Sequence, residues 1–187
     1  MTTILVAYAT KRGSTREVAA SVAETLRESE FAVDLQPAAM IDSLRRYDGV
    51  VLGSSLYMGR PHPDARRFLK RHRAALAALP TAVFAMGPGT LVERDVDGSR
   101  RQLDRELAKV PEVEPVTTAI FGGVVDPEQL TFPFNHMPAS DARDWDAIHA
   151  WAEEVGEAME RCGNSLIPTE KAPHDSSGLV PMAPAAR

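Results

Sequence analysis

The sequence contains a single cysteine, Cys162, among 187 residues, so no disulfide can form within the chain. A lone thiol is typical of a reducing compartment, and we expect a cytoplasmic protein. No apolar run approaches the roughly 20 residues that cross a bilayer. The first residues lack the basic and apolar regions of a signal peptide, so none is expected. The net charge of −5 gives no overall attraction to nucleic acid.

Two common nucleotide-binding motifs are also missing. The Gly-x-x-x-x-Gly-Lys-Ser/Thr motif, whose amides hold nucleotide phosphates, does not occur. Gly87-Pro-Gly89 begins like the Gly-x-Gly-x-x-Gly motif of dinucleotide-binding folds, but Val92 stands where the third glycine belongs. The five histidines lack the spacing of metal ligands, and no Ser–His–Asp arrangement is evident. The sequence therefore predicts no metal site and identifies no catalytic residue.

Short apolar runs alternate with segments of helical period. Five runs predict strands: Thr3–Ala9, Phe31–Gln36, Gly49–Ser54, Thr81–Ala85 and Val116–Phe121. Four segments predict helices: Thr15–Glu28, Pro63–Leu79, Gly98–Lys109 and Asp141–Arg161. In the last helix Asp141 is expected as the N-cap and Gly163 just past the C-terminus. This alternation predicts an α/β fold, a parallel sheet with helices on both faces.

The alternation is interrupted twice. Gly122–Ser140 is a long insertion after the last strand, and long connections in compact domains are usually functional or disordered. Asn164–Arg187 is rich in proline, serine and glycine and poor in apolar residues, which predicts disorder. We expect one domain over residues 1–163 and a disordered tail over residues 164–187.

The connection between the first strand and the first helix is the most informative segment. Thr10-Lys-Arg-Gly-Ser-Thr15 combines hydroxyl groups with the backbone amides of a helix N-terminus. Such amides bind anions, and a single phosphate group fits a loop of this composition. The alternative is that Ser14 or Thr15 only caps the helix.

Two further loops are expected at the same edge of the sheet, Ser54–Gly59 and Met86–Thr90. Ligands of open parallel sheets bind beyond the carboxyl ends of the strands. Tyr57 and Met58 can cover a flat ring, while Gly59 and Gly87 let backbone approach it. Each feature alone also fits a tight turn or an ordinary surface residue, but their joint placement favours a binding site.

These motifs resemble those of the flavodoxin-like FMN proteins, whose phosphate loop reads Thr-x-Thr-Gly-x-Thr. The chain is more similar still to the flavodoxin-type, menaquinone-dependent protoporphyrinogen oxidases of bacteria. That similarity lies in the phosphate loop followed by Arg16-Glu17, Tyr47-Asp48-x-Val50-Val51-x-Gly53-x-Ser55, Gly59, the basic helix Phe68–His72 and Asp144-Trp145. The resemblance covers about residues 1–160. It implies a three-layer sandwich with a five-stranded parallel sheet in the order 2-1-3-4-5, and FMN as the cofactor.

The resemblance also implies which residues bind FMN. The phosphate is expected at the first loop, formed by Thr10, Lys11, Arg12, Gly13, Ser14 and Thr15. The ribityl chain and the ring are expected at Ser54, Ser55, Leu56, Tyr57, Met58, Gly59, Met86, Gly87, Pro88, Gly89 and Thr90. A backbone carbonyl near Met58-Gly59 is expected to accept a hydrogen bond from N5 of the reduced flavin.

The sequence departs from these relatives in three places. Arg12 replaces the second threonine of the flavodoxin loop, and the Met86–Thr90 loop lacks the aromatic residue that flavodoxins usually stack on the ring. The insertion after Phe121 is shorter and less basic than in the oxidases. Three roles are open for the segment Phe132–Met137. It is expected to dock a quinone, to contact the inner face of the membrane, or to fold back over the core.

A basic segment, Arg60–Arg73, follows the second loop. Its charged residues are Arg60, Arg66, Arg67, Lys70, Arg71 and Arg73 against Asp64 alone, a local excess of five positive charges. Such a patch would attract an anionic partner, for example a tetrapyrrole with propionate groups or an anionic lipid. It would serve equally well as a solvated helix face.

Three functions stay open at this point. The first is an FMN-dependent oxidoreductase that dehydrogenates protoporphyrinogen, or a related reduced substrate, and passes electrons to a quinone. The second is an electron-carrier flavodoxin that exchanges electrons with a redox partner protein. The third is a binding module with the same fold and no flavin. The basic patch and the insertion favour the first.

Overall fold

The computed structural model describes residues 1–57, 59–129, 132 and 134–165. Its main sheet is built from β1 (Thr3–Ala9), β2 (Ala32–Pro37), β3 (Gly49–Tyr57), the short β4 (Arg60–Pro61), β5 (Thr81–Met86) and β6 (Thr117–Phe121). The parallel strands lie in the order β2-β1-β3-β5-β6, and β4 pairs antiparallel with the end of β3. Without β4 this is the predicted order 2-1-3-4-5, which is confirmed.

Helices cover both faces of the sheet. Successive side chains of a strand point to opposite faces. The side chains of β1 therefore belong to two separate core clusters, one on each face of the sheet. Ile4 and Val6 pack with α1 (Ser14–Glu28) and α4 (Trp145–Ser165). Leu5 and Ala7 pack on the other face, which is covered by α2 (Pro63–Leu76) and α3 (Glu93–Leu107). The predicted three-layer α/β sandwich is therefore confirmed.

The connection between β2 and β3 covers the second face without an α-helix. It contains a single 3-10 turn, Ala38–Met40, and then buries Ile41, Leu44 and Tyr47. The Tyr47 hydroxyl donates to Asp34 Oδ2 at 2.9 Å and accepts from the Arg46 guanidinium at 2.7 Å. Burial raises the pKa of Tyr47 above its usual value, against the lowering effect of Arg46. Tyr47 is thus a core residue that anchors this connection to β2.

Helix α2 ends at Leu76, three residues before the predicted Leu79, and the largest differences from the predicted helix ends occur in α3 and α4. Helix α3 begins at Glu93 and not at Gly98, because Glu93 and Asp95 favour the positive end of a helix. Helix α4 begins at Trp145, where Asp144 Oδ1 accepts the N–H of Ala147 at 3.0 Å. Asp144, not Asp141, therefore occupies the capping position.

The other end of α4 extends further than predicted. The helix passes through Gly163 to Ser165, so Gly163 does not end it. Residues 166–187, which hold most of the predicted disordered tail, lie outside the described residues. Within the described part of the chain, no helix is long and apolar enough to cross a bilayer.

The insertion after β6 contains regular structure. Its two ends form a small antiparallel pair, β7 (Val124–Val125) and β8 (Ser140–Asp141), with 3-10 turns at Pro127–Gln129 and Phe134–His136. We call the β7–β8 pair the insertion stem. Leu130, Thr131 and Pro133 lie outside the described residues, so the predicted docking segment Phe132–Met137 is described in part.

Candidate cofactor site

The three predicted loops lie side by side at one edge of the sheet. Ala9 at the end of β1 stands opposite Ser54 of β3, and Ser55 stands opposite Met86 at the end of β5. Because these strands are parallel neighbours, the loops that follow them leave from adjacent points. The structure thus brings the predicted loops together at the carboxyl edge.

The first loop folds back on itself before α1 begins. Thr10 Oγ1 accepts the N–H of Gly13 at 2.9 Å. Gly13 has φ +96°, a left-handed conformation that favours glycine, although a Cβ there would meet no atom of the described residues within 4 Å. The glycine is therefore required by the backbone turn and not by a close neighbour. This loop, residues 10–15, is called the phosphate loop below, after the role that the sequence predicts for it.

The phosphate loop leaves polar groups free for an anion. Gly13 occupies the N-cap position of α1, and no side chain of the described residues caps the helix. Thr15 is fully buried, yet its Oγ1 has no hydrogen-bond partner in the part of the chain that the structure describes. A buried hydroxyl without a partner costs about 1–3 kcal/mol. The alternative that Ser14 or Thr15 only caps the helix is not supported, and a phosphate oxygen would satisfy both the Thr15 hydroxyl and the first amides.

The second loop combines a structural serine with polar and aromatic groups. Ser54 is 2% exposed, and its Oγ accepts the N–H of His62 at 3.0 Å, so this hydroxyl holds the turn between β3 and β4. The Oγ of Ser55 is buried and has no hydrogen-bond partner among the described residues. Leu56 is half-buried against the core. Tyr57 is 41% exposed at the rim of the site.

Gly59 completes the turn with φ +79°. Its neighbour Met58 lies outside the described residues, so the expected carbonyl contact with flavin N5 stays a prediction.

The third loop is held by the protein itself. The N–H of Gly87 donates to the carbonyl of Phe121 at 2.7 Å. A Cβ on Gly87 would lie 2.9 Å from Ile120 Cγ2 and 3.0 Å from Ser99 Oγ. The sequence interpretation assigned Gly87 to a close approach of the flavin, whereas the observed close approach is to β6 and α3. Met86 is buried in the core.

The insertion stem closes over the same loop. The N–H of Gly123 donates to the Pro88 carbonyl at 2.7 Å, and Ser140 Oγ donates to the Gly89 carbonyl at 3.0 Å. The Thr90 hydroxyl donates to Asp95 Oδ2 at 3.0 Å. The third loop is therefore fixed between the stem and the start of α3.

An arginine that sequence reasoning missed joins the stem to α1. Arg143 forms ion pairs with Asp141 and with Glu17, and the side chain is only 12% exposed. Its hydrogen bond lowers the pKa of the Asp141 carboxyl, and the pKa of the guanidinium is raised in turn. A cavity of about 110 Å³ lies beside this cluster, lined by Arg12, Ser14, Glu17, Val124, Asp126, Gln129 and Arg143.

The basic segment is partly neutralised. Arg67 pairs with Asp64, Arg71 with Asp42 at 2.9 Å, and Arg73 with Glu112 at 3.8 Å. Asp42 and Glu112 come from other parts of the chain and lower the local excess of positive charge from five to three. A cleft of about 590 Å³ runs between α2 and residues 38–41, and Arg67, Lys70, Arg71 and Arg73 contribute to its lining.

Exposed apolar side chains gather at the carboxyl edge. Of the described large apolar residues that are exposed, those in the loops and helix starts at this edge are Tyr57, Leu91, Val92, Val124, Phe132, Met137 and Trp145. Met40 follows the outer strand β2 at the same edge, whereas Met1 and Val116 precede β1 and β6 at the opposite edge. We call the first group the apolar rim. Nowhere in the described ranges do three or more His, Cys, Asp or Glu side chains form a group that could hold a metal ion.

Comparison with known proteins agrees with this geometry. The flavodoxin domain family matches residues 5–137. Protoporphyrinogen IX dehydrogenase [quinone] of Escherichia coli is 31% identical over 84 residues, which are 44% of this chain and 46% of that protein. The matched part of the chain thus spans about half the length of this curated relative.

Solved structures share the fold. A flavodoxin mutant from Pseudomonas aeruginosa superposes with a TM-score of 0.57 at 18% identity, covering 84% of this chain and 99% of that one. Rubredoxin oxygen:oxidoreductase of Desulfovibrio gigas gives a TM-score of 0.57 at 13% identity over 85% of this chain and 36% of that one. Since the family match covers most of the chain, the protein belongs to the flavodoxin domain family, and its cofactor is FMN.

Proposed function

We propose that this flavodoxin-domain protein is an FMN-dependent oxidoreductase that dehydrogenates protoporphyrinogen, or a related reduced substrate, and passes the electrons to a quinone. The apolar rim is the observation that carries this proposal. Tyr57, Leu91, Val92 and Phe132 expose apolar surface around the loops where the cofactor is expected, and Phe132 is 79% exposed. Exposed apolar side chains gathered in one place mark interaction sites for apolar ligands or partners.

The partial relative supports the same assignment. Its name describes a dehydrogenase of protoporphyrinogen IX that uses a quinone. Both of these reactants are largely apolar, and the rim offers them a surface next to the flavin. An electron carrier that binds only soluble redox proteins does not require an apolar surface of this kind.

Within this proposal, each loop has a task. The amides of the phosphate loop and the Thr15 hydroxyl bind the phosphate, and Ser55 offers its unpartnered hydroxyl near the ring or ribityl chain. Tyr57 is the aromatic side chain available to contact the ring, since the third loop has none. The bound FMN supplies the electron-accepting and electron-donating chemistry. The protein binds it, orients it and keeps water away from its exposed edge.

A tetrapyrrole substrate carries anionic propionate groups, which need a basic surface. We propose that the basic segment Arg60–Arg73 binds them, with Arg60 and Lys70 available because neither takes part in the ion pairs that the described residues of this segment form. Contact of Phe132–Met137 with a membrane surface, where quinones reside, belongs to the same proposal. Sedimentation with vesicles of anionic phospholipid, compared with neutral vesicles, tests that contact.

The central experiment follows the flavin spectrum. Protein saturated with FMN should be bleached by protoporphyrinogen without oxygen and recover its absorbance when a menaquinone analogue is added. The rim variants Leu91→Asp and Phe132→Asp should slow both half-reactions, whereas Val116→Asp should not, because Val116 is exposed at the opposite edge of the sheet, just before β6. Bound FMN that neither reactant changes would reject the oxidoreductase proposal.

An electron carrier is the second candidate. The observation that favours it is the neutralisation of the basic segment by Asp42 and Glu112, which weakens the attraction for an anionic substrate. A carrier would exchange electrons with a redox protein while ignoring protoporphyrinogen. The spectral experiment above separates the two.

A further inference from the structure

Arg143 connects two parts of the molecule that are far apart in the chain. Its Nε and Nη2 donate to the two carboxylate oxygens of Asp141, at 2.9 and 2.6 Å. Its remaining terminal nitrogen, Nη1, donates to Oε2 of Glu17, which is 126 residues away. A guanidinium that binds one carboxylate with both arms is held in a fixed plane, so the bond to Glu17 has a defined direction.

The position of Glu17 gives this contact its importance. Glu17 lies in the first turn of α1, where its N–H donates to the carbonyl of Gly13 at 3.1 Å. One turn of helix rises only about 5.4 Å, so this carboxylate stands close to any anion bound at the helix N-terminus. A negative charge there is stabilised by the helix dipole when no ligand is present, but it repels a bound phosphate.

Neighbouring groups hold the guanidinium of Arg143 in its position. The guanidinium carbon lies 4.9 Å from the centre of the Trp145 ring, which adds a cation–π contact. Asp126 and Gln129 of the insertion line the small cavity together with Arg12 and Ser14 of the phosphate loop. The insertion stem, the first turn of α1 and the start of α4 therefore meet at this one arginine, and the phosphate loop lines the adjacent cavity.

We propose that Arg143 is a positioning residue of the FMN site, which neutralises Glu17 beside the phosphate loop and fixes the insertion stem against it. This inference rests on the proposed placement of the FMN phosphate at residues 10–15. It assigns the stem a task in cofactor retention. It also explains why a carboxylate is tolerated in the first turn of a phosphate-binding helix.

The test compares FMN with riboflavin, which has the same ring and ribityl chain but no phosphate. Dissociation constants of both are measured by quenching of flavin fluorescence. In Arg143→Gln the charge is lost, and we expect FMN to bind roughly tenfold more weakly while riboflavin changes less than about twofold. Arg143→Lys keeps the charge but loses the paired bonds to Asp141, so its FMN affinity should fall between those of Arg143→Gln and the wild type.

The decisive variant is the double substitution Arg143→Gln with Glu17→Gln. Removing the carboxylate removes the repulsion, so FMN affinity should return to within about threefold of the wild type. Arg161→Gln is the matched control, because it removes another arginine that pairs with a glutamate, on the distant part of α4. Its affinity for both flavins should equal that of the wild type.

Salt gives a second readout. The deficit of Arg143→Gln should shrink when the ionic strength rises from about 0.05 M to 0.5 M, because repulsion between Glu17 and the phosphate is screened. Equal weakening of riboflavin and FMN, or no recovery in the double variant, would overturn the role of Arg143 while leaving the FMN proposal intact. A wild type that binds riboflavin as tightly as FMN would overturn the phosphate placement itself and this inference with it.

Discussion

The ammonium group of Lys11 lies 4.7 Å from the centre of the Tyr57 ring. This contact joins the phosphate loop to the end of β3, two segments that bind opposite ends of the cofactor in the proposed site. A cation over an aromatic face contributes about 0.5–1 kcal/mol at an exposed position. Lys11 therefore helps to hold the ring of Tyr57 at the rim of the site before the flavin binds.

We expect Tyr57→Ala to weaken FMN binding by about tenfold, because an aromatic contact of this kind contributes about 0.5–1.5 kcal/mol beyond buried area. Tyr57→Phe keeps the ring and should change the affinity less than threefold on the same scale. The FMN affinity of Lys11→Met should lie between those of Tyr57→Ala and Tyr57→Phe. Fluorescence titration with FMN measures all three, and an unchanged affinity in Tyr57→Ala would remove Tyr57 from the site.

Substitution of Thr15 should affect stability and binding in opposite directions. Thr15→Val replaces a buried hydroxyl, which has no hydrogen-bond partner within the described ranges, by a methyl group of similar size. We expect the free energy of unfolding of the FMN-free protein to rise by about 1 kcal/mol. FMN affinity should fall, since the hydroxyl is lost as a donor to the phosphate. Urea denaturation without flavin and titration with FMN measure the two effects.

Thr81 offers the matched control for this prediction. Thr81 is also buried, but its hydroxyl donates to the carbonyl of Leu79 at 3.0 Å. Thr81→Val should therefore lower the stability by about 1 kcal/mol and leave FMN binding unchanged. If Thr15→Val lost as much stability as Thr81→Val, the Thr15 hydroxyl would have a partner within the protein.

Substitution by alanine should lower the free energy of unfolding at Gly13 and raise it at Gly163, although a Cβ at either position would meet no described atom within 4 Å. Gly13→Ala places a Cβ at φ +96°, a conformation that costs about 1–2 kcal/mol for a residue with a side chain. Gly163 lies inside α4, where a Cβ would meet no atom of the described residues within 4 Å, and alanine there should raise the free energy of unfolding by about 0.5–1 kcal/mol. FMN affinity should decrease only in Gly13→Ala, because only that turn presents the amides of the phosphate loop.

Thermal unfolding of the FMN-free proteins, followed by titration with FMN, checks both variants. Retained affinity in Gly13→Ala would show that the left-handed turn is not needed for binding.

Much of the architecture could be predicted because strand and helix patterns are local. The apolar run of β1 is contained in 7 residues and the helical period of α1 in 15, and parallel pairing then places the following loops at one edge. The position of the three loops follows from that rule alone. The sheet order, by contrast, came from the family resemblance.

The missed features are those that depend on distant residues. The partner of Glu17 is Arg143, and no local pattern links positions 126 residues apart. The same reason applies to Asp42 and Glu112, which reduce the charge of the basic segment from outside it. Asp141 was expected to cap α4 because it is the right residue type near the right place, but Arg143 engages it and Asp144 takes the cap.

Tyr47 illustrates how a motif residue can have a structural role. It belongs to the segment that resembles the oxidases, yet it is buried and its hydroxyl donates to Asp34. We expect Tyr47→Phe to lower the free energy of unfolding at pH 7 by about 1 kcal/mol, the contribution of one hydrogen bond. FMN affinity should not change, since Tyr47 lies in the connection between β2 and β3.

The pH dependence of this variant has a definite sign. Burial raises the pKa of Tyr47 above its ordinary value of about 10. A group whose pKa is raised on folding stabilises the protein fully below its unfolded pKa and loses that contribution as the pH rises through the folded pKa. The stability difference between wild type and Tyr47→Phe should therefore be constant up to about pH 10 and narrow above it. Urea denaturation at a series of pH values from neutral to alkaline measures this difference, and a gap that widens in alkali would mean that the folded protein favours the tyrosinate.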